Sequence, residues 1–206
     1  MTVSVALFTR DLRVFDNPVL RGAANSDWVV PLFVLDDGIA GTGFLRPNRA
    51  SFLVQCLADV DAGLRERGAR LVLRRGRVVE EVRRIAAETG AEKVHVAADV
   101  SSYAQRRQDA LARALAEDGR ELVVHEAVTA VPPGQITPQG GDHFAVFTPY
   151  YRRWMNQPMR QPLDPPGRLQ LPRIRGDAIP DAGELCGGAP SPDLMPGGER
   201  EARHRL

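Results

Sequence analysis

Lysine and cysteine are nearly missing from this chain, and each scarcity excludes something. Lys93 is the one lysine among 27 basic side chains, which 26 acidic ones offset to a formal net charge of +1 over 206 residues. A chain so balanced has no field of one sign to draw it onto nucleic acid, and no direct DNA binding is expected from it alone. The arginine bias carries no functional weight. Cys56 and Cys186 stand far apart in no metal-binding or redox spacing, and Cys56 falls on the apolar face of a predicted helix. Both are expected to be plain thiols in a reducing compartment. No apolar run approaches the ~18 residues of a membrane span, and no basic region precedes the first apolar strand. The expectation is a cytoplasmic protein without membrane contact.

Several site chemistries are missing as well. The first strand runs into Thr9-Arg10-Asp11-Leu12-Arg13, where a dinucleotide fold needs glycines for close approach of a pyrophosphate. Gly38, Gly41 and Gly43 cluster after the second strand instead, and read as loop flexibility. There is no G-x-S-x-G elbow, no H-E-x-x-H and no paired Cys or His motif. His95 and His125 lie inside strand candidates and read as packed or partly solvated sheet residues, not acid–base catalysts.

What is present is an alternation of short strand-like and longer helical patterns. Strands are predicted over residues 3–8, 28–35, 70–74, 93–97 and 121–125. Phe52, Leu53, Cys56, Leu57, Val60 and Leu64 recur at helical spacing, ending at Gly68, and residues 78–89 end likewise at Gly90. Residues 103–118 and a short 18–25 complete the helices. Five alternations of this kind predict an α/β fold: a doubly wound, Rossmann-like, five-stranded parallel sheet with both faces covered. With the usual order 3-2-1-4-5, a ligand crevice is expected between the loops after strands one and four, residues 9–17 and 98–103.

The α/β domain is expected to occupy residues 1–132. From residue 132 onward all but three of the 16 prolines accumulate with many glycines, and apolar periodicity fades. Residues 133–206 read as a Pro/Gly-rich connector that wraps on the first domain, bridges to a partner or stays mobile. The last ten residues read as a helix entered and then cut, so the chain is expected to stop where a further domain would begin.

Polar residues gather at the strand ends: Arg10, Asp11 and Arg13 after strand one, Asp36 and Asp37 after strand two, Asp99 after strand four. Taken alone they support two readings. Arg10 to Arg13 is a loop tied by arginine–carboxylate pairs, with Asp16-Asn17-Pro18 starting a helix through an Asp or Asn cap, or it contacts a ligand. Asp99 either ties the next helix or faces a ligand at the switch point.

Residues 6–20, with Arg10-Asp11-Leu12-Arg13 and Asp16-Asn17-Pro18 in register, resemble the opening of the photolyase/cryptochrome family. Residues 30–36, the helix entry at 49–57, and Phe147-Thr148-Pro149-Tyr150 followed by Trp154 are similar to further family segments. The resemblance runs in order over about 155 residues and is closest to the deazaflavin-type bacterial deoxyribodipyrimidine photolyases. It implies an N-terminal antenna-binding domain, with FAD and damaged DNA held by a helical domain outside these 206 residues. Its partners are then an antenna chromophore and a flavin-binding domain, covalently attached or separate, and this chain alone should lack lyase activity. Carried over position by position, the resemblance assigns Val34, Arg49, Ala50, Ser51, Asp99 and Arg107 to the antenna pocket. Val34 and Ala50 would be walls, with Asp99 and the arginines fixing the polar edge of a planar ring. Asp99 with Tyr103 fits 8-hydroxy-5-deazaflavin better than methenyltetrahydrofolate, with a flavin as the other alternative. Thr9 departs from the bulkier or basic residue common in the family. The competing readings are a stand-alone nucleotide-binding α/β protein, which would want a phosphate-cradling glycine loop, and an inactive remnant.

Overall fold

Strand β1 (Val3–Phe8) is buried along nearly its whole length, Val5 and Leu7 into one apolar cluster and Ala6 and Phe8 into the other. A strand buried on both faces needs helices on both sides, and the computed structural model, which describes residues 1–126, 128–138 and 140–206, supplies them. Helix α1 (Pro18–Ala23) and strand β2 (Trp28–Asp36) follow, then the single turn α2 (Asp37–Ala40) and the long α3 (Pro47–Arg65). Next come β3 (Val72–Gly76), α4 (Val78–Thr89), β4 (Lys93–Ala97), α5 (Ser102–Glu117) and β5 (Glu121–His125). The strands lie in the order β3-β2-β1-β4-β5, every neighbouring pair parallel, as the alternation predicts. Helices α1 and α3 pack Leu20, Leu57 and Leu64 on one face; α4 and α5 pack Ile85, Leu111 and Leu115 on the other.

Local chemistry sets the boundaries. Asn17 caps α1, its side chain accepting from the Leu20 N–H at 3.0 Å, with Pro18 in the first turn. Strand β3 starts two residues later than its sequence pattern predicts. The Leu71 N–H is taken by the Asp61 carboxylate at 2.8 Å, so that donor serves a tertiary contact instead of the ladder, while the Arg70 guanidinium donates to the Ile174 carbonyl at 2.6 Å. The glycine cluster read as a flexible loop contains α2, because Asp36 caps it by accepting from the Gly38 N–H at 2.9 Å. His95 and His125 are stacked sheet residues, ring centroids 5.1 Å apart, on the face covered by α1.

The segment after residue 130 lies on this body. It contains α6 (Phe147–Met155), the short α7 (Ala182–Leu185) and α8 (Glu199–His204). Its ties are polar. Leu169 N–H donates to Arg67 O at 2.7 Å, Val29 N–H to Gln170 O at 2.8 Å, and Asp177 N–H to Leu73 O at 2.8 Å beside the outer edge of β3. Asp16, at a positive φ of 50°, accepts from the Leu163 N–H at 3.0 Å and pairs with Arg160. No helix among the described residues is long and apolar enough to cross a membrane.

Candidate functional site

The carboxyl ends of β1 and β2 open into a cavity of about 240 Å³. Phe8 and Phe33 to Leu35 form its floor, Leu53 of α3 and Val78 of α4 its sides, and Ile39 with Phe44 its roof. These walls are apolar because the pleat and the flanking helices turn core residues toward the sheet end. Polar groups enter at a few points: Thr9 after β1, Asp36 at the end of β2, Arg107 of α5 and Glu184 of α7. An apolar hollow with few convergent polar groups is what binding of a small organic ligand requires.

Two of those polar atoms have no partner. Thr9 Oγ1 and Arg107 Nε are buried and unbonded among the described residues. Burial also pulls the Arg107 guanidinium below the ordinary arginine range, against the nearby Tyr103, Asp36 and Asp99. Its charged plane lies 5.8 Å from the centroid of the Tyr103 ring. The Tyr103 hydroxyl donates to Asp36, linking α5 to the end of β2; burial and that bond push its pKa up to about 12. Asp11, in the loop behind Thr9, is 4% exposed, and burial raises its pKa to about 6 despite nearby backbone N–H groups and Arg13.

The notch between β1 and β4, where the switch-point rule places a crevice, is bridged. Arg10 Nη1 donates to both Asp99 oxygens at 3.0 Å. Asp99 also accepts from the Ser101 N–H at 3.0 Å, at the start of α5. Although burial acts to raise its pKa, those bonds hold Asp99 below the usual carboxylate range. The cavity lies one strand over, above β1 and β2, because α2, α3 and α7 arch over that side.

Of the six residues assigned from sequence, Val34 and Arg107 line the cavity. Arg49 stands behind the roof: its guanidinium donates to Phe44 O at 2.9 Å and lies 4.4 Å from the Phe44 ring centroid. Ala50 is fully buried in α3 outside the lining, and Ser51 accepts from Gln55 at 3.4 Å. Asp99 is engaged by Arg10 and Ser101. Sequence reasoning missed Ile39, Phe44 and Leu45, although apolar residues among the Gly38 to Gly43 glycines were a signal that this loop covers something. It also missed Glu184 and Leu185, and nothing in the local sequence around them marks them.

Comparison with known proteins follows from this geometry. The family model described as DNA photolyase matches residues 4–167. A deoxyribodipyrimidine photo-lyase of Streptomyces griseus is 53% identical over 207 aligned positions, covering 98% of this chain and 45% of the relative. The crystal structure of a bacterial class III photolyase from Agrobacterium tumefaciens superposes with a TM-score of 0.81 at 25% identity, over 94% of this chain and 39% of that one. That of an archaeal photolyase from Sulfolobus tokodaii, described as carrying two FAD molecules with the implication of a novel light-harvesting cofactor, shares the fold. Its TM-score is 0.83 at 22% identity, over 98% of this chain and 45% of that one. The chain thus spans less than half the length of these relatives.

Proposed function

This chain belongs to the DNA photolyase family, and we propose that its cavity binds a light-harvesting antenna chromophore, 8-hydroxy-5-deazaflavin being the best fit. When bound, such a chromophore supplies light absorption and transfer of excitation energy to a flavin. The observation that carries the reading is the pairing of apolar walls with Thr9 and Arg107 in the lining, whose Oγ1 and Nε are buried without a partner among the described residues. Val34 and Phe33 would bound a planar ring, and Arg107 would donate to its oxygenated edge. Energy transfer asks for a donor held at fixed distance and orientation, not for a nucleophile or proton relay.

A second reading, a flavin antenna, is favoured by the Sulfolobus neighbour with its two FAD molecules. The cavity volume of about 240 Å³ argues for a smaller group. Ligand pockets commonly run from roughly 300 to 1,000 Å³, so this one suits a single ring system whose polar chain leaves by the mouth, not a dinucleotide. The family's flavin and DNA chemistry we assign to a second, helical unit, whether continuous with this chain or separate. Light-driven repair of pyrimidine dimers is then a property of the assembled protein.

An absorption titration with 8-hydroxy-5-deazaflavin tests the site. Wild type is expected to show a red-shifted visible band, and Arg107→Ala to bind about tenfold more weakly, equivalent to roughly 1.4 kcal/mol. Asp99→Ala is expected to lose less, since its carboxylate already serves Arg10 and Ser101. An equal loss would extend the site to the β1–β4 notch. Absence of binding by wild type would sink the deazaflavin assignment and turn the search to methenyltetrahydrofolate and flavins.

A further inference from the structure

The cavity's last wall comes from the far end of the chain. Glu184 and Leu185 of α7 line it, and the neighbouring Cys186 thiol donates to Leu45 O at 3.5 Å. From there the chain follows α3 along one stripe. Asn48 and Ser191 exchange two hydrogen bonds, at 2.9 and 2.8 Å, and Gln55 accepts from the Gly197 N–H at 2.6 Å. Asp59 accepts from the Arg200 backbone N–H at 3.1 Å and from its guanidinium at 2.7 Å. Positions 48, 52, 55 and 59 recur at four, three and four residues, one face of a helix. At 52 the approach is backbone on backbone: a Cβ on Gly197 would lie 2.7 Å from the Phe52 carbonyl oxygen. The seam ends where the Glu199 carboxylate accepts the N–H groups of Val14 at 2.7 Å and Phe15 at 3.2 Å, in the loop that follows β1.

We propose, resting on the antenna reading, that the ligand site is composite. Glu184 and Leu185 are binding residues, and the seam along α3 sets how closely they close on the cavity. Occupancy of the cavity and docking of residues 182–205 are therefore coupled. Such coupling is reciprocal: a ligand that touches the docked segment tightens it, and loosening the segment weakens the ligand by the same factor. The site's affinity is then governed partly by residues that touch no ligand. Gly197 is one, since Phe52 and Cys56, which surround it, do not line the cavity.

The test compares Leu185→Ala, in the cavity wall, with Gly197→Val and Arg200→Ala, on the seam. The dissociation constant for 8-hydroxy-5-deazaflavin is read by absorption, and amide hydrogen exchange over residues 182–186, where Glu184 and Cys186 N–H groups are bonded, is read without ligand. Leu185→Ala and Gly197→Val are each expected to weaken binding at least about fivefold, the lower end of ordinary coupling, with Arg200→Ala in the same direction. Exchange over 182–186 should quicken in both seam variants. If only Leu185→Ala weakens binding and the seam variants match wild type in affinity and exchange, the coupling is overturned. If wild type itself takes no deazaflavin, the antenna reading fails, and exchange alone decides the seam: faster in Gly197→Val and Arg200→Ala upholds it, unchanged overturns it.

Discussion

Between Val3 and His125 the chain closes two apolar clusters over the faces of a sheet, with Leu7, Leu32, Ile85 and Leu111 at 1% exposure or less. After residue 130, among the described residues, Val131 and Leu169 join the buried apolar residues, and Leu171, Ile174 and Ile179 pack against the clusters half-buried. That later segment is held by this smaller apolar contact together with backbone and carboxylate hydrogen bonds: Leu169 to Arg67, Asp177 to Leu73, Glu199 to Val14 and Phe15. The contrast is one of cooperativity. Apolar burial of roughly 25 cal/mol per Å² binds many residues into a single unit, whereas a net hydrogen bond contributes roughly 0.5–1.5 kcal/mol and is lost singly. The cavity lies where the two regions meet, with a rigid floor and one wall from the more weakly held segment.

The largest expected effect is at the rigid end of that contrast. Leu32→Ala removes a fully buried side chain from β2 and should lower global stability by about 2–5 kcal/mol in urea unfolding. The same change at Leu169, 4% exposed, should first appear as faster proteolysis of the C-terminal segment while the sheet stays folded. Equal global losses at the two sites would erase the distinction.

An intermediate effect is expected from pH. Burial lowers the His95 pKa from 6.5 to about 4, with His125 and Lys93 acting the same way and Glu121 opposing. A folded-state value below the unfolded one means that the folded protein binds fewer protons. His95 therefore contributes stability above about pH 6.5 that is lost as pH falls toward about 4. Asp11, raised from 3.8 to about 6, has the opposite sign: its contribution is present below 3.8 and lost as pH rises through about 6. Thermal unfolding of wild type and His95→Asn across pH 4–7 separates the two. The variant should lose part of the acid-side decline, keeping the share of His125, whose burial also lowers its pKa, beside the opposite slope that Asp11 imposes.

The smallest effect is expected at the bridged notch. The Arg10 side chain is 57% exposed and the Asp99 side chain 7%, but Asp99 keeps the Ser101 N–H when Arg10 is removed, and a pair with its cation in solvent contributes roughly 0–1 kcal/mol. Arg10→Ala should leave the unfolding midpoint nearly unchanged. A large loss there would mean that the notch, like the sheet, belongs to the cooperative body.

Strand and helix order was legible because side-chain periodicity is a local property, and Asn17-Pro18 announced its helix through capping chemistry that needs no distant partner. The two-residue displacement of β3 was not legible, since the Asp61 carboxylate claims the Leu71 N–H from another element of the chain. At the site, Val34 and Arg107 could be named by resemblance. The roof at Phe44 and the wall at Leu185 could not, because each is apolar for reasons visible only when α2 and α7 are seen over the sheet end.

The sequence by itself determined a parallel α/β sheet with both faces covered, since a strand such as Val3–Phe8, apolar but for Ser4, has no other way to leave water. Only the tertiary structure decided which end-of-sheet hollow is open. Arg10 and Asp99, 89 residues apart, close one by a charge-assisted bond, and a segment more than a hundred residues beyond β2 walls the other. Both choices depend on contacts between distant parts of the chain, which a local pattern does not encode.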